Sequence, residues 1–278
     1  MENKTNAENK TVCDDKPCDV TTPRARYTVL GTVAKYAYML FETDQETLFR
    51  AIYEGDMNKV VDLFEKKVDF HGSDDEGNSV LHAAVFGRQI GMLNMLLGMG
   101  ISPNRVNHNG ENILMVAIKL GFNDICEEIM KIKDFNYGLT DLQGQSLLHY
   151  CAIYGRAIMA EEILKHDVNV DSVDFNYNSS LHVCCLHNSH NVAKVLLDHN
   201  CRTTQKNLRL LIPIEIAVKM EDREMVKLIF TKMRGENFEN LDEAVDEMMK
   251  GKEDPLMVLN KSPSQFTPHT RQEPVRTE

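Results

Sequence analysis

Short apolar segments recur along the middle of the chain with nearly the same internal pattern. The segments NSVLHAAVFG (78–87), QSLLHYCAIYG (145–155) and NSSLHVCCLHN (178–188) align without gaps, and NILMVAIKLG (112–121) lies between the first two. One leucine marks the same place in each segment: Leu81, Leu114, Leu148 and Leu181. The markers follow one another in steps of 33, 34 and 33 residues. A fixed step of this length indicates an internal structural repeat.

The same step taken outward from these segments finds two further units. It reaches Leu48 and Ile214, which open LFRAIYEGDMNKVVDLF (48–64) and IEIAVKMEDREMVKLIF (214–230). All six units have a small residue three positions after the marker: Ala51, Ala84, Ala117, Cys151, Cys184 and Ala217. Four units have a short polar residue two positions before it, where its side chain can cap a helix: Ser79, Asn112, Ser146 and Ser179. Each unit is therefore predicted to form two short helices and a turn, which bury their apolar faces only when stacked.

These markers resemble those of the ankyrin-repeat family, whose period is about 33 residues and whose signature is T-P-L-H-x-A. The resemblance covers roughly residues 43–233. It implies an all-α repeat solenoid of paired antiparallel helices with short β-turn or hairpin loops. It also implies a structural role, linking the capping hydroxyl to a neighbouring loop, for the histidines that follow the markers: His82, His149 and His182. Cys151 and Cys184 fill the small-residue position, so we expect both in the core.

The repeats set the predicted domain organisation. Residues 1–42 are expected to form a polar tail with a candidate amphipathic helix at 27–42. Residues 43–233 then form six repeats, at about 44–73, 74–106, 107–140, 141–173, 174–206 and 207–233. An acidic capping helix is expected at 234–250 and a disordered, proline-bearing tail at 251–278. Tyr177 replaces the glycine that opens the other internal units, which predicts a distorted turn there.

Charge and cysteine content narrow the function classes. The chain has 31 basic and 42 acidic residues, a net charge of −11, which argues against direct binding of nucleic acid. Its seven cysteines show no paired spacing, and its N-terminus is too polar for a secretion signal. We therefore expect a cytoplasmic or nuclear protein. The apolar stretch 27–41 is shorter than the roughly 20 residues that span a bilayer, so we expect no membrane partner.

The stretch SSLHVCCLHNSH (179–190) is the one candidate metal site. Cys184, His187 and His190 follow one another at the spacing of one helix face, which zinc could use. If Cys184 faces the core, however, two ligands remain, fewer than the four of a structural zinc site. The sequence also lacks a phosphate-binding loop, a nucleophile elbow and an HExxH motif. It therefore predicts no metal, no cofactor and no enzymatic activity.

The family resemblance implies that the first helices and turn tips line a groove that binds other proteins. The positions five and six residues after the markers would face this groove. They hold the predicted partner-binding residues: Tyr53, Phe86, Leu120, Ile153, Tyr154, Leu186, His187 and Met220. The competing interpretation is that these side chains only pack against the next repeat. The net negative charge of the chain favours a partner segment that is basic or of mixed charge.

We thus expect a monomeric adaptor or inhibitor, and two alternatives stay open. One is an inhibitor of Rel-type transcription factors, which six repeats with flanking tails resemble, although residues 1–42 contain no DSGxxS motif. The other is a membrane-peripheral scaffold that uses residues 27–41. Ser262 and Thr267 each precede a proline and are candidate phosphorylation sites.

Overall fold

The computed structural model describes residues 43–235, 238, 240–251 and 254–266 of the chain. Two helices come from each of the six repeats: α1 (Asp44–Glu54), α2 (Met57–Glu65), α3 (Val80–Phe86), α4 (Ile90–Gly98), α5 (Ile113–Leu120), α6 (Asn123–Met130), α7 (Leu147–Tyr154), α8 (Ala157–Ile163), α9 (Ser180–His187), α10 (His190–Asp198), α11 (Pro213–Lys219) and α12 (Arg223–Arg234). Two helices and a short 3-10 turn follow: α13 (Leu241–Met249), α14 (Pro255–Asn260) and Pro263–Gln265. The predicted helix at 27–42 lies outside these residues.

The repeats stack through their first helices. Helix α1 contacts α3, α3 contacts α5, and the same relation continues to α11, while α8, α10 and α12 form a second layer. Every marker residue is at most 1% exposed at these interfaces: Leu48, Leu81, Leu114, Leu148, Leu181 and Ile214. The small residues beside them are equally buried, Cys151 and Cys184 included. The predicted all-α repeat solenoid is confirmed. None of the described helices is long and apolar enough to cross a membrane.

The array begins with a capping box on α1. The amide of Glu46 donates to Thr43 Oγ1 (3.2 Å), and the amide of Thr43 donates to Glu46 Oε2 (2.8 Å). These bonds satisfy two amides that a helix start leaves without partners. The spacing of Thr43 and Glu46 is thus sufficient to set the start of the first helix.

The signature histidines connect successive repeats. The Ser79 amide donates to Nδ1 of His82 (3.1 Å), so Nε2 carries the proton and donates to the Glu111 carbonyl of the next repeat (3.0 Å). His149 and His182 reach the carbonyls of Asn178 (3.0 Å) and Leu211 (3.1 Å) in the same way. Burial lowers the pKa of His82 to about 4, against the weaker effect of the bond to Glu111. In the native fold His82 is therefore neutral, with its proton on Nε2.

The third repeat lacks this connection because Met115 stands at the histidine position. Asn112 caps α5 directly, since its Oδ1 accepts from the amides of Leu114 (3.0 Å) and Met115 (2.9 Å). Its buried Nδ2 has no hydrogen-bond partner among the described residues. An unbonded buried donor weakens a fold, and the boundary between repeats 3 and 4 lacks the histidine bond that joins repeats 2 and 3, 4 and 5, and 5 and 6.

Restoring the signature in the third repeat is expected to stabilise the array. The double substitution Asn112→Ser with Met115→His removes the unbonded amide and lets the new imidazole reach the Gln145 carbonyl. We expect the free energy of unfolding in urea to rise by about 1 kcal/mol. Asn112→Ser alone is the control and should not give this increase. A double variant less stable than the wild type would show that the buried methionine, not the missing bond, dominates this boundary.

Short hairpins project from the junctions between repeats and are tied to one another. The backbone amides of His108, Leu142, Phe175 and Leu208 donate to carbonyls of the preceding hairpin at 2.9–3.0 Å. The predicted distortion at Tyr177 is wrong. Tyr177 adopts φ 59°, close to the 75° of Gly77, and keeps the turn bond of its amide to the Asp174 carbonyl (2.9 Å). The hydrogen bonds of the hairpin hold a tyrosine in a backbone conformation that favours glycine.

The prediction of a disordered C-terminal tail is wrong for part of that segment. Disorder was expected throughout 251–278, but residues 254–266 form α14 and the 3-10 turn, while residues 267–278 lie outside the described part. Helix α13 packs on α12, and α14 packs on α13 and α11. Val258, Leu259 and Phe266 are buried there. A few apolar side chains thus order a segment whose composition is otherwise polar.

An aromatic cluster and ion pairs attach this extension to the sixth repeat. The ring of Phe238 lies edge-on to Phe230 (5.1 Å between centroids) and to Phe266 (5.8 Å). Lys227 Nζ lies 3.0 Å from Asp242 Oδ1, and Arg223 pairs with Asp246. The acidic face of α13 is therefore matched by basic residues of α12, and the extension covers the open end of the stack.

Candidate functional site

The predicted partner-binding residues lie at the ends of the first helices, and the structure divides them into two groups. Five are half-buried: Tyr53, Phe86, Leu120, Ile153 and Tyr154. The last four of these pack against the hydrophobic core. In the C-terminal repeats, by contrast, Leu186 and Met220 are 44% and 48% exposed, and His187 is exposed as well. The apolar surface of this groove face is therefore most accessible at repeats 5 and 6.

A buried polar cluster joins repeats 3 and 4 beside the half-buried group. Lys119 Nζ donates to Glu111 Oε1 (2.8 Å), and the Tyr150 hydroxyl lies 3.1 Å from both Glu111 Oε1 and Asp141 Oδ2. Burial acts to raise the pKa of Glu111, but hydrogen bonds from Lys119, Asn107 and Tyr150 and the lysine charge outweigh it, so this pKa is lowered. Burial and the two carboxylates raise the pKa of Tyr150, which remains a donor. The cluster is internally satisfied and holds the two repeats together.

A second set of exposed apolar side chains lies on the tips of the last three hairpins. We call this set the tip row; its members are between 54% and 73% exposed: Leu142, Phe175, Tyr177, Leu208 and Leu210. The corresponding first tip positions of repeats 2 and 3 hold the polar residues Asp75 and His108. Among the described hairpins, which belong to repeats 2 to 6, apolar tips are therefore confined to repeats 4 to 6.

Two members of the tip row have a backbone conformation that is costly for them. Tyr177 and Leu210 have φ values of 59° and 60°, at the position where repeats 2, 3 and 4 have Gly77, Gly110 and Gly144. A left-handed conformation costs a residue with a Cβ atom roughly 1–2 kcal/mol. Six other non-glycine residues of the described chain also have positive φ, so it is the exposure of these two side chains together with their conformation that distinguishes the tips. The sequence analysis expected the turn tips to line the binding groove, but it did not select the tip row among the predicted partner-binding residues.

The candidate metal ligands are not brought together. Cys184 and Cys185 are fully buried, and burial raises the pKa of each thiol. His190 instead pairs with Asp222 of the next repeat, with 2.8 Å between Nε2 and Oδ2. No group of three His, Cys, Asp or Glu side chains in the described part of the chain is placed to hold a metal ion. The unpredicted partner of His190 is a carboxylate that caps α12.

Stacked helix pairs, buried Leu-His signatures and tied hairpins define a repeat protein of the ankyrin class. A model of the family described as ankyrin repeats in three copies matches residues 48–141 and 114–207. The chain belongs to the ankyrin-repeat family. Membership makes it a protein–protein interaction module.

Curated relatives share only part of their length with this chain. It is 30% identical over 100 residues to the 2-5A-dependent ribonuclease of Mus musculus, which covers 36% of this chain and 13% of the ribonuclease. It is 28% identical over 117 residues to alpha-latrotoxin-Lg1a of Latrodectus geometricus, which covers 41% of this chain and 9% of the toxin. The similarity therefore extends over a small fraction of each relative.

A solved structure shares the fold over a longer stretch. It is a chain from the complex of a predatory endopeptidase from Bdellovibrio bacteriovorus with an immunity protein, matched at a TM-score of 0.59. The match covers 66% of this chain and 96% of that chain at 22% identity. At this identity the likeness concerns the fold alone.

Proposed function

We propose that the chain is a monomeric, non-enzymatic adaptor or inhibitor that holds a protein partner on its repeat array. The observation that carries this proposal is the tip row, a set of large apolar side chains exposed on successive repeats. Exposed apolar positions that continue from one structural unit to the next are typical of interaction surfaces. These side chains contribute little to the stack because they point away from its buried interfaces. The match to a chain of an enzyme–immunity protein complex is consistent with a binding role.

The groove face is proposed as a second part of the same contact surface. Leu186, His187 and Met220 offer exposed area there, and Phe86, Leu120, Ile153 and Tyr154 would support it from the core side, while Tyr53 is half-buried at the first repeat. The charge of the partner segment is proposed to be mixed. Asp75 is exposed at the tip of repeat 2, and Lys206 and Arg209 are exposed at the tip of repeat 6.

A cytoplasmic or nuclear location is proposed with this function. The described cysteines are all free thiols, which suits a reducing compartment: Cys126, Cys151, Cys184, Cys185 and Cys201. The two alternatives, a Rel-type inhibitor and a membrane-peripheral scaffold, depend on residues 1–42, which lie outside the described part. No observation favours either of them over the general binding module.

Groove variants test the proposed surface. We expect Leu186→Ala with Met220→Ala to weaken capture of the protein partner by roughly tenfold, about 1.4 kcal/mol, with little change in melting temperature. Ile158→Ala is the matched control, because Ile158 is exposed on α8, in the second-helix layer. The partner is first recovered on the immobilised full chain from an extract of the native cell. It is then purified and its affinity for each variant is measured.

The half-buried groove residues provide a second comparison. Phe86→Ala and Tyr154→Ala are expected to weaken capture and also to lower the melting temperature, because both side chains pack on the core. If the Leu186 and Met220 double variant binds as well as the wild type, the groove face does not contact the partner. If neither the wild type nor any variant captures a protein at defined stoichiometry, the proposed function itself is wrong.

A further inference from the structure

The exposed apolar surface of the array is unevenly distributed. Five of the fourteen large apolar residues that are exposed among the described residues belong to the tip row. Of the other nine, three lie on α2 in repeat 1, two lie in repeat 2, and repeats 4, 5 and 6 and helix α14 have one each. Backbone bonds of 2.9–3.0 Å tie the tips of repeats 3 to 6 into a continuous series, so the five side chains stand on a fixed support. A rigid, exposed apolar row is a suitable anchor for a partner.

The tip of repeat 6 adds positive charge to this row. Its sequence is Lys206-Asn207-Leu208-Arg209-Leu210, in which two basic residues alternate with the apolar pair. Both basic side chains are exposed, and neither has a hydrogen bond or ion pair with any residue that the structure describes. In a chain with a net charge of −11, this tip is therefore a local positive site.

The hairpins of repeats 4 and 5 do not cancel that charge. Their opening carboxylates, Asp141 and Asp174, are buried and bonded to amides of their own turns, as in the bonds of Asp174 Oδ1 to the amides of Asn176 and Asn178 (both 2.8 Å). Repeat 6 has the neutral Asn207 at the same position. The accessible surface of the row is thus apolar over repeats 4 and 5, and apolar and basic over repeat 6.

We infer that the tip row binds an apolar segment of a protein partner whose end over repeat 6 is acidic. The inference rests on the proposed function and names the chemistry of the partner at this surface. Apolar side chains of the segment contact Leu142, Phe175 and Tyr177, and its carboxylates pair with Lys206 and Arg209. Neighbouring packed helices lie about 8–10 Å apart, and about three residues of an extended chain span this distance. Apolar residues of the partner that are three positions apart can therefore contact successive tips.

The residues at the turn position that holds glycine in repeats 2 to 4 support the same inference. Glycine at this turn suits the backbone of repeats 2, 3 and 4, yet repeats 5 and 6 place Tyr177 and Leu210 there at positive φ. Replacing both by glycine removes apolar contact area while returning the turns to the residue that their conformation favours. Glycine substitutions at these two positions should therefore change partner binding without lowering stability, whereas truncation of a buried side chain changes both.

The test selects binders from a random displayed peptide library on the immobilised full chain and measures their affinity for variants. The tip variant is Tyr177→Gly with Leu210→Gly, and its control is Ile158→Gly with Met257→Gly, two exposed apolar residues outside the row. The charge variant is Lys206→Glu with Arg209→Glu, and its control is Lys66→Glu with Lys133→Glu, which changes net charge equally. Melting temperatures are recorded for all four.

We expect selected peptides to combine Leu, Phe or Tyr with Asp or Glu. The tip variant and the charge variant should each weaken their binding by roughly tenfold or more, while the charge control stays within about twofold of the wild type and the exposed-residue control binds normally wherever it remains folded. The tip variant should melt at or near the wild-type temperature.

Other outcomes separate this inference from the proposed function. Selected peptides that are basic, or that bind both row variants normally, overturn the inference. If such peptides instead lose affinity for the Leu186 and Met220 double variant, the proposed function stands and the anchor is the groove face. If selection enriches no peptide sequence on the full chain, the inference fails, and the proposed function stands or falls with the capture experiment described for the groove variants.

Discussion

Replacing Leu148 with alanine is expected to lower the free energy of unfolding by about 2–5 kcal/mol, because it opens a cavity in a closely packed interface. Leu148 is 1% exposed on α7, which contacts the first helices on both sides of it, α5 and α9. A cavity there weakens two repeat boundaries at once. The quantity to measure is the urea unfolding curve followed by helical circular dichroism.

Leu142→Ala is the matched control for this prediction. It is the same chemical change only six positions earlier, but Leu142 is 62% exposed at a hairpin tip. Surface changes of this kind usually alter stability by less than about 0.5 kcal/mol. Equal losses in the two variants would mean that the apolar marker positions do not form the core of the stack.

Replacing Phe266 with alanine is expected to release the C-terminal extension from the sixth repeat. Phe266 is 4% exposed and its ring lies edge-on to Phe238, which in turn contacts Phe230. Removing a buried phenylalanine costs about 3–5 kcal/mol. We expect α13 and α14 to lose protection against amide hydrogen exchange, while α5 to α9 in the middle of the array keep theirs.

Met257→Ala gives the comparison for that experiment. Met257 lies on α14 but is 67% exposed, so its truncation should leave the protection of α13 and α14 unchanged. If Phe266→Ala also leaves the exchange of α13 and α14 unchanged, Phe266 does not hold the extension on the sixth repeat. The aromatic cluster would then have no role in closing the stack.

The repeat fold was predictable because its signals are periodic and local. Leu81 and Leu148 mark the same place in two repeats, and Ser79 with His82 specifies a hydrogen-bonded start of a helix within four residues. Stacking then follows from the apolar faces that each unit leaves open. The capping box at Thr43 belongs to the same category of short-range signal.

Features that depend on distant residues were not predictable. Tyr150 and Glu111 are 39 positions apart, and no spacing rule pairs them. Order in residues 254–266 depends on a few anchors, above all Phe266, that average composition hides among prolines and polar residues. The turn at Tyr177 was predicted to distort because the cost of its backbone was visible in the sequence, whereas the hairpin bonds that hold it were not.

The candidate site was predictable only in part. Counting from the markers predicted residues at the ends of the first helices, where the structure has them, but it could not separate the exposed Leu186 from the half-buried Phe86. Exposure depends on how far each neighbouring repeat covers the helix end. The role of these groove residues in binding stays a prediction, and the tip row emerged only from the exposed fractions of its side chains.

One measurement tests the central claim, that this array binds a protein partner without acting on it chemically. The purified full chain is titrated with the partner recovered by capture, and the mass of that partner is determined before and after prolonged incubation. The account predicts a reversible one-to-one complex and an unchanged partner mass. A partner that is cleaved or modified by the chain, or the lack of a saturable complex, would contradict it.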